Sequence, residues 1–207
     1  PKIVILADKD KVEMEDEIHR HVKHLKNTEV VVRSGNPMSL VDLRITSHEK
    51  ARSILILPPD GVEFSDSVAI KTTMALLASP SHNDNSYHIV TEISDSENLE
   101  IAKLVGGSEV TWVQADDLIA RLIVQTSRQS GLSAVFTDLL DFEGSELYLH
   151  PAKVFDGIRY QDAVNRMTQG CLIGVIRDGE VHLNPQRDFV LIASDFLIVI
   201  AEDDASI

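Results

Sequence analysis

Five short apolar runs, separated by stretches of helical periodicity, constrain this chain more than any other feature. That alternation is what stacked strand–helix–strand units with a mostly parallel sheet require. The runs are Lys2–Asp8, Glu29–Arg33, Ser53–Leu57, His88–Ile93 and Glu109–Val113. Helical periodicity lies between them at Val12–Leu25, Met38–Leu43, Ser67–Leu77 and Asn98–Leu104. The expected fold class is therefore α/β, with most of a doubly wound parallel sheet in the first two thirds of the chain.

Turn-forming stretches fall where these strands should end: "SGNP" at Ser34–Pro37, "PPDG" at Pro58–Gly61 and "SDSEN" at Ser94–Asn98. Open α/β sheets bind ligands outside the carboxyl ends of their strands, which puts Asp8, Asn36 and Asp60 on the candidate binding rim. Each is also an ordinary turn or N-cap residue. Asp8 ends the first run, and a carboxylate at such a tip can hold the two hydroxyls of a ribose. The glycine-rich phosphate turn that should precede it is not in these 207 residues.

The formal net charge of -14 argues against nucleic acid and anionic lipid as direct partners, because those surfaces reward Lys and Arg. A single cysteine, Cys171, excludes an intrachain disulfide and a cysteine metal cluster. It sits in the apolar run "CLIGVI" and reads as a buried structural thiol. No apolar stretch approaches the roughly 20 residues that span a bilayer, and no signal peptide is visible, so the chain alone reads as soluble.

At Ala115–Gly131, "ADDLIARLIVQTSRQSG" is a helix whose apolar residues Leu118, Ile119, Leu122, Ile123 and Val124 cover more than one stripe. A surface that wide needs a second packing partner. "LSAVFTDLLDF" follows as a second helix carrying Val135, Phe136, Leu139 and Leu140, and the two together read as an exchange arm. After Gly144 come a strand in "SELYLHP", a short helix in "RYQDAVNRM", then two or three strands with Arg177-Asp178-Gly179 as a hairpin turn. This element order describes a small α+β module. The expected division is 1–114, 115–143 and 144–207.

Three stretches, "VILADKDKVEMEDEI", "VGGSEVTWVQADDLIARLIVQTSRQSGLSAVFTDLLDFEG" and "IVIAEDDASI", resemble the RCK, or TrkA-type, regulatory domains of potassium channels and transporters. More narrowly, they look like bacterial relatives of the CASTOR/POLLUX ion channels. The resemblance covers nearly the whole chain. It implies a Rossmann-like sheet whose first strand is missing here, crossover helices and a small C-terminal module. It further implies a cytosolic domain behind a transmembrane pore segment of the same protein, at the cytoplasmic face of the bacterial inner membrane. Such domains assemble into a homo-oligomeric gating ring that controls a potassium or calcium pore. Leu118, Ile119, Leu122, Ile123, Phe136 and Leu139 would lie in the interface, and calcium or an adenine nucleotide, NAD or ATP, would be the ligand.

Two departures stand out. Gly35-Asn36 replaces the Gly-Asp pair that dinucleotide-binding members carry after the third strand, which removes a carboxylate from the rim. Ser194-Asp195 stands where the C-terminal module commonly has Gly-Asp, and reads as a turn variant. The acidic groups at Glu13–Glu17, Asp116-Asp117 and Glu202–Asp204 lack the spacing of a calcium loop. Asp116-Asp117 most simply meet the dipole of the following helix. His21 and His24 are at helical neighbour spacing with no third ligand evident. No nucleophile motif is present. The alternative from another class is a fragment of a nucleotide-dependent oxidoreductase, which should supply a proton donor facing the nicotinamide.

Overall fold

The computed structural model describes residues 1–59, 61–62, 64–80, 87–141 and 144–203. In the first unit, Pro1–Arg121, the apolar runs become parallel strands: β1 (Lys2–Ala7), β2 (Glu29–Ser34), β3 (Ile54–Ile56), β4 (Ile89–Glu92) and β5 (Val110–Val113). Between them run α1 (Lys11–His21), α2 (Leu40–Leu43), α3 (Ser65–Leu77) and α4 (Ser96–Gly106), and α5 (Ala115–Arg128) follows β5. Side-chain caps start α1 and α4, where orphan N–H groups need an acceptor. Asp10 accepts from Val12 N and Glu13 N at 2.8 and 3.2 Å, and Asp95 from Glu97 N at 2.9 Å. α1 stops at His21 rather than at the expected Leu25. Lys26, at φ 47°, and a Thr28 N to Leu25 O bond instead fold 22–28 into a return turn toward β2.

The sheet is interrupted. β1 pairs only with β2, from Lys2↔Glu29 to Ala7↔Ser34, while β3, β4 and β5 form a separate ladder. In a doubly wound sheet of order 3-2-1-4-5-6, taking β1 as the second strand gives β2-β1, a vacancy, then β3-β4-β5. The observed break between β1-β2 and β3-β4-β5 follows that order, with each part a parallel ladder of a Rossmann-like α/β unit. A core of Leu43, Ile56, Ala69, Leu76, Tyr87, Ile89 and Val110, with Leu6 and Trp112 against it, holds the unit. α4 approaches β5 so closely that a Cβ on Gly106 would stand 2.6 Å from Val110 Cβ.

The second unit, Leu122–Ile207, carries the end of α5, α6 (Leu132–Leu140) and an antiparallel sheet. Its strands are β6 (Glu146–Pro151), β7 (Cys171–Arg177), β8 (Glu180–Leu183) and β9 (Phe196–Ala201), in the order β6-β9-β7-β8, with α7 (Tyr160–Arg166) between β6 and β7. Asp178 and Gly179, at φ 51° and 82°, close the β7–β8 hairpin; positive φ at both positions is what a two-residue turn matched to strand twist needs. One face of the sheet packs a core of Ala152, Tyr160, Ala163, Leu172, Val175, Leu191, Leu197, Val199 and Ala201. Cys171, expected to be buried, is exposed: it starts β7 opposite Ile200, on the other face of the sheet.

Candidate ligand rim and assembly surface

The carboxyl ends of β1 and β2 form one rim. Gly35 N donates to Ala7 O at 3.0 Å and the Ser34 hydroxyl to Lys9 O at 2.7 Å, so the two strand ends are tied side by side. Asp8 is exposed there, and its carboxylate takes no hydrogen bond from the described residues. Lys9 beside it is engaged by Glu17 at 2.7 Å; that hydrogen bond raises the lysine pKa and lowers that of the glutamate. Asn36 is largely committed to its own turn. Its N–H donates to Asp42 Oδ2 and its side-chain oxygen accepts from Met38 N, both at 2.9 Å, leaving only the amide donors for a ligand. Asp60 lies outside the described residues.

Beneath the rim, Ile5 and Ala7 of β1 with Met14, Ile18 and Val22 line an apolar groove of about 380 Å³, with Lys9 at its edge. An apolar groove gives a bound ring or side chain a place to pack; Lys9, which also lines it, is already paired with Glu17. Among the described residues, no group of three or more His, Cys, Asp or Glu could hold a metal ion.

Three polar groups that local sequence patterns do not reveal are built into the two units. Asp66, buried at the start of α3, accepts from Ser94 N and Asp95 N at 2.9 Å and from Asn98 Nδ2 at 3.0 Å. Burial pushes its carboxyl up, but these three donors outweigh it and leave the pKa lowered. The effect is to pin the loop after β4 to the start of α3. His48 is buried with Tyr87, Nδ1 lying 3.0 Å from the phenol oxygen, and burial lowers the imidazole pKa.

In the C-terminal module Arg177 grips Asp195 through Nε at 2.8 Å and Nη2 at 2.6 Å, while Nη2 also donates to Val190 O and the guanidinium stacks 4.3 Å from the Phe189 ring centroid. The Arg177 hydrogen bond holds Asp195 below the usual carboxylate range. Ser194-Asp195 is thus more than a turn variant, because the acid is the buried anchor of the β9 approach.

The six interface candidates lie on α5 and α6. No residue of either helix is buried. Leu118, Ile119 and Ile123 are 51%, 53% and 63% exposed, while Leu122, Phe136 and Leu139 are half-buried. Val124, Val135 and Leu140 are also open, so an apolar surface stands uncovered on both helices. Asp117 pairs with Arg121 on α5 at 2.6 Å, so this acid is engaged within its own helix. No helix among the described residues is long and apolar enough to cross a membrane.

Residues 116–207 match the family model described as "Castor and Pollux, part of voltage-gated ion channel". Over 206 residues and 98% of its length, the chain is 38% identical to "Probable ion channel CASTOR" of Oryza sativa, of which it spans 23%. It is 24% identical to "Calcium-gated potassium channel TvoK" of Thermoplasma volcanium, over 82% of this chain and 49% of that protein. Among solved structures, the human SLO3 gating ring superposes with a TM-score of 0.68 at 17% identity, covering all of this chain and 45% of that one, which shows a shared fold.

Proposed function

Because this chain is a homologue of the CASTOR and POLLUX ion channels over nearly its whole length, we propose that it is the ligand-sensing regulatory domain of a cation channel. It spans about a quarter of the plant relative's length, so the pore belongs to a part of the protein outside these residues. On this reading the chain works at the cytoplasmic face of the bacterial inner membrane, joined to a transmembrane pore segment of the same protein. It assembles with its own copies through α5 and α6.

The observation that carries the reading is the uncovered apolar surface of α5 and α6, residues that a lone copy leaves half in water. A ring held through such helices has more than one arrangement. A ligand that binds one arrangement better shifts the population toward it by its difference in affinity, and that difference is the work available to the pore.

The rim is where the ligand binds. The free carboxylate of Asp8 suits a ribose, and the name of the Thermoplasma relative puts calcium beside NAD and ATP as the ligands to try. The oxidoreductase reading gains nothing from relatives whose names are those of ion channels.

The test is calorimetric titration of the chain with calcium, NAD and ATP, with assembly mass followed by light scattering. The expected result is saturable binding of one ligand that changes the assembly and is weakened by Asp8→Asn. Binding indifferent to Asp8 overturns the rim. Assembly unaffected by Ile123→Asp, in a variant that keeps its far-UV circular dichroism, overturns the helix interface.

A further inference from the structure

Between α2 and β3 the chain makes two short 3₁₀ turns, Arg44–Thr46 and His48–Lys50, joined at Ser47. Ser47 has φ 55° and ψ 42°, in the left-handed region that a residue with a Cβ seldom adopts. Such a conformation persists only where its surroundings impose it. The next residue supplies the hold. His48 is 5% exposed, its Nδ1 lies 3.0 Å from the Tyr87 phenol oxygen, and the two rings meet edge to face with centroids 5.7 Å apart. Neither the ligand rim nor the surface of α5 and α6 uses this buried titratable group.

The pair reaches across the two ladders of the interrupted sheet. The Arg44–Thr46 turn packs beside β1, the strand that leads to Asp8, whereas Tyr87 leads into β4 of the other ladder. Tyr87 is a fixed post. Its N–H donates to Glu109 Oε2 at 2.6 Å, ahead of β5, and the Ser79 hydroxyl at the end of α3 bonds the phenol. Among the described residues no strand pairing joins the ladders, so the His48 contact is one of the ties that fix the connecting turns to the second of them.

We infer that His48 is a proton-operated clasp: neutral, it fastens the turns before β3 to Tyr87, and charged, it leaves that contact and frees them. The inference goes beyond the proposed function, adding the proton as an input that acts through the fold and needs no bound ligand. The chemistry of the ring sets the direction. A neutral imidazole with its hydrogen on Nε2 accepts the phenol hydrogen at Nδ1, whereas the charged ring has a hydrogen on both nitrogens and no acceptor left. The phenol must then turn its hydrogen away, and a positive charge is left in a dry setting, which is costly without a paired acid.

Burial is the main influence on His48 and lowers its pKa; on its own turns Glu49 favours the charged form and Arg44 opposes it. Facing it, Tyr87 stays neutral, its pKa raised chiefly by burial and further by Glu49 and Glu109. No described carboxylate bonds the imidazole, so none offsets the charge by contact.

The test is native-state hydrogen exchange of the 207-residue chain at low urea, from about pH 7.5 to about pH 5.5, with each rate referred to that of the unstructured chain. Lys50 N and Ala51 N, bonded to Ser47 O and His48 O, report the turns; Ile89 N and Ile93 N, bonded to Glu109 O and Val113 O, report the ladder. Because the buried form is neutral, opening is least above the ordinary histidine value of about 6.5 and grows as pH falls. The expected result is a loss of protection at Lys50 and Ala51 approaching about ten-fold per pH unit below that value, through an opening insensitive to urea, with Ile89 and Ile93 at least about a hundred-fold better protected throughout. His48→Gln, which carries no charge at any pH, should abolish the pH dependence. Tyr87→Phe, which keeps the ring and removes the phenol oxygen, should loosen the turns already at about pH 7.5.

Turns whose protection ignores pH, or follows it equally in His48→Gln, overturn the clasp. So does protection at Lys50 and Ala51 that matches Ile89 and Ile93 in size and urea response, because the turns then open only when the whole unit unfolds. None of these outcomes bears on ligand binding at Asp8 or on assembly through α5 and α6, which titration and light scattering read separately.

Discussion

Replacing Asp195 by Asn should unlock the C-terminal module. The carboxylate is 1% exposed and accepts three hydrogen bonds, from Arg177 Nε, Arg177 Nη2 and Ile192 N. Bonds to a charged group are each worth about 1.5–3 kcal/mol. Breaking one member of a buried pair costs about 3–5 kcal/mol, but the Arg177 side chain is 27% exposed and recovers water, so the loss is nearer about 3 kcal/mol.

For a unit of this size, each kcal/mol moves the midpoint by about 4–8 °C, which puts the module's transition on the order of 15 °C lower. Calorimetry should show that transition moving, and a double-mutant cycle with Arg177→Met should return a coupling of about 2 kcal/mol. Because the folded pKa of Asp195 is lowered, its contribution is present above the ordinary value of about 4 and is lost as pH falls through the folded one. Asn should remove that acid limb. A midpoint shift below about 4 °C, or a coupling near zero, would refute the account.

Other expectations follow from the same geometry. His48 has its pKa lowered by burial, so stability of the first unit should be complete above about pH 6.5 and decline as pH falls toward the folded value. His48→Gln should flatten that decline in pH-dependent denaturant titrations. At the sheet break, Pro1 O and Ala7 O bond toward β2 while Ile54 N bonds toward β4, so by alternation the amides of Val4, Leu6 and Leu55 point away from their ladder partners. Hydrogen exchange should be faster at these three than at Ile3, Ile5 and Ile54. Raising NaCl should tighten self-association, since screening relieves repulsion between acidic copies joined through the apolar residues of α5 and α6; weakening would point to ion pairs in the interface.

What was legible in the sequence is what local spacing encodes. The five parallel strands could be read from β-branched runs bounded by turn residues, and the Asp178-Gly179 hairpin from a dipeptide that tolerates two positive φ values. The end of α1 could not. Val22 and Leu25 keep helical spacing, and only the geometry of the return into β2 removes them from the helix.

Asp66, and the pairing of Asp195 with Arg177, escaped the sequence for a different reason. Asp66's partners stand 28 to 32 residues away and Arg177 stands 18 from Asp195, and a pattern confined to a short window carries nothing about such pairs, so Asp195 read only as part of a turn. Asn36 shows the limit from the other side. It was legible as a rim residue, but whether its side chain turns to a ligand or to its own loop depends on Met38, whose N–H holds the side-chain oxygen, while Asp42 takes the Asn36 backbone N–H.

Cys171 marks where the reasoning about burial fails in an informative way. Apolar neighbours on both sides imply that both faces of β7 are covered, yet Cys171 at its start is exposed. The described residues whose apolar character exceeds their burial, on α5 and α6, are the ones to which the proposed function assigns the contact between copies.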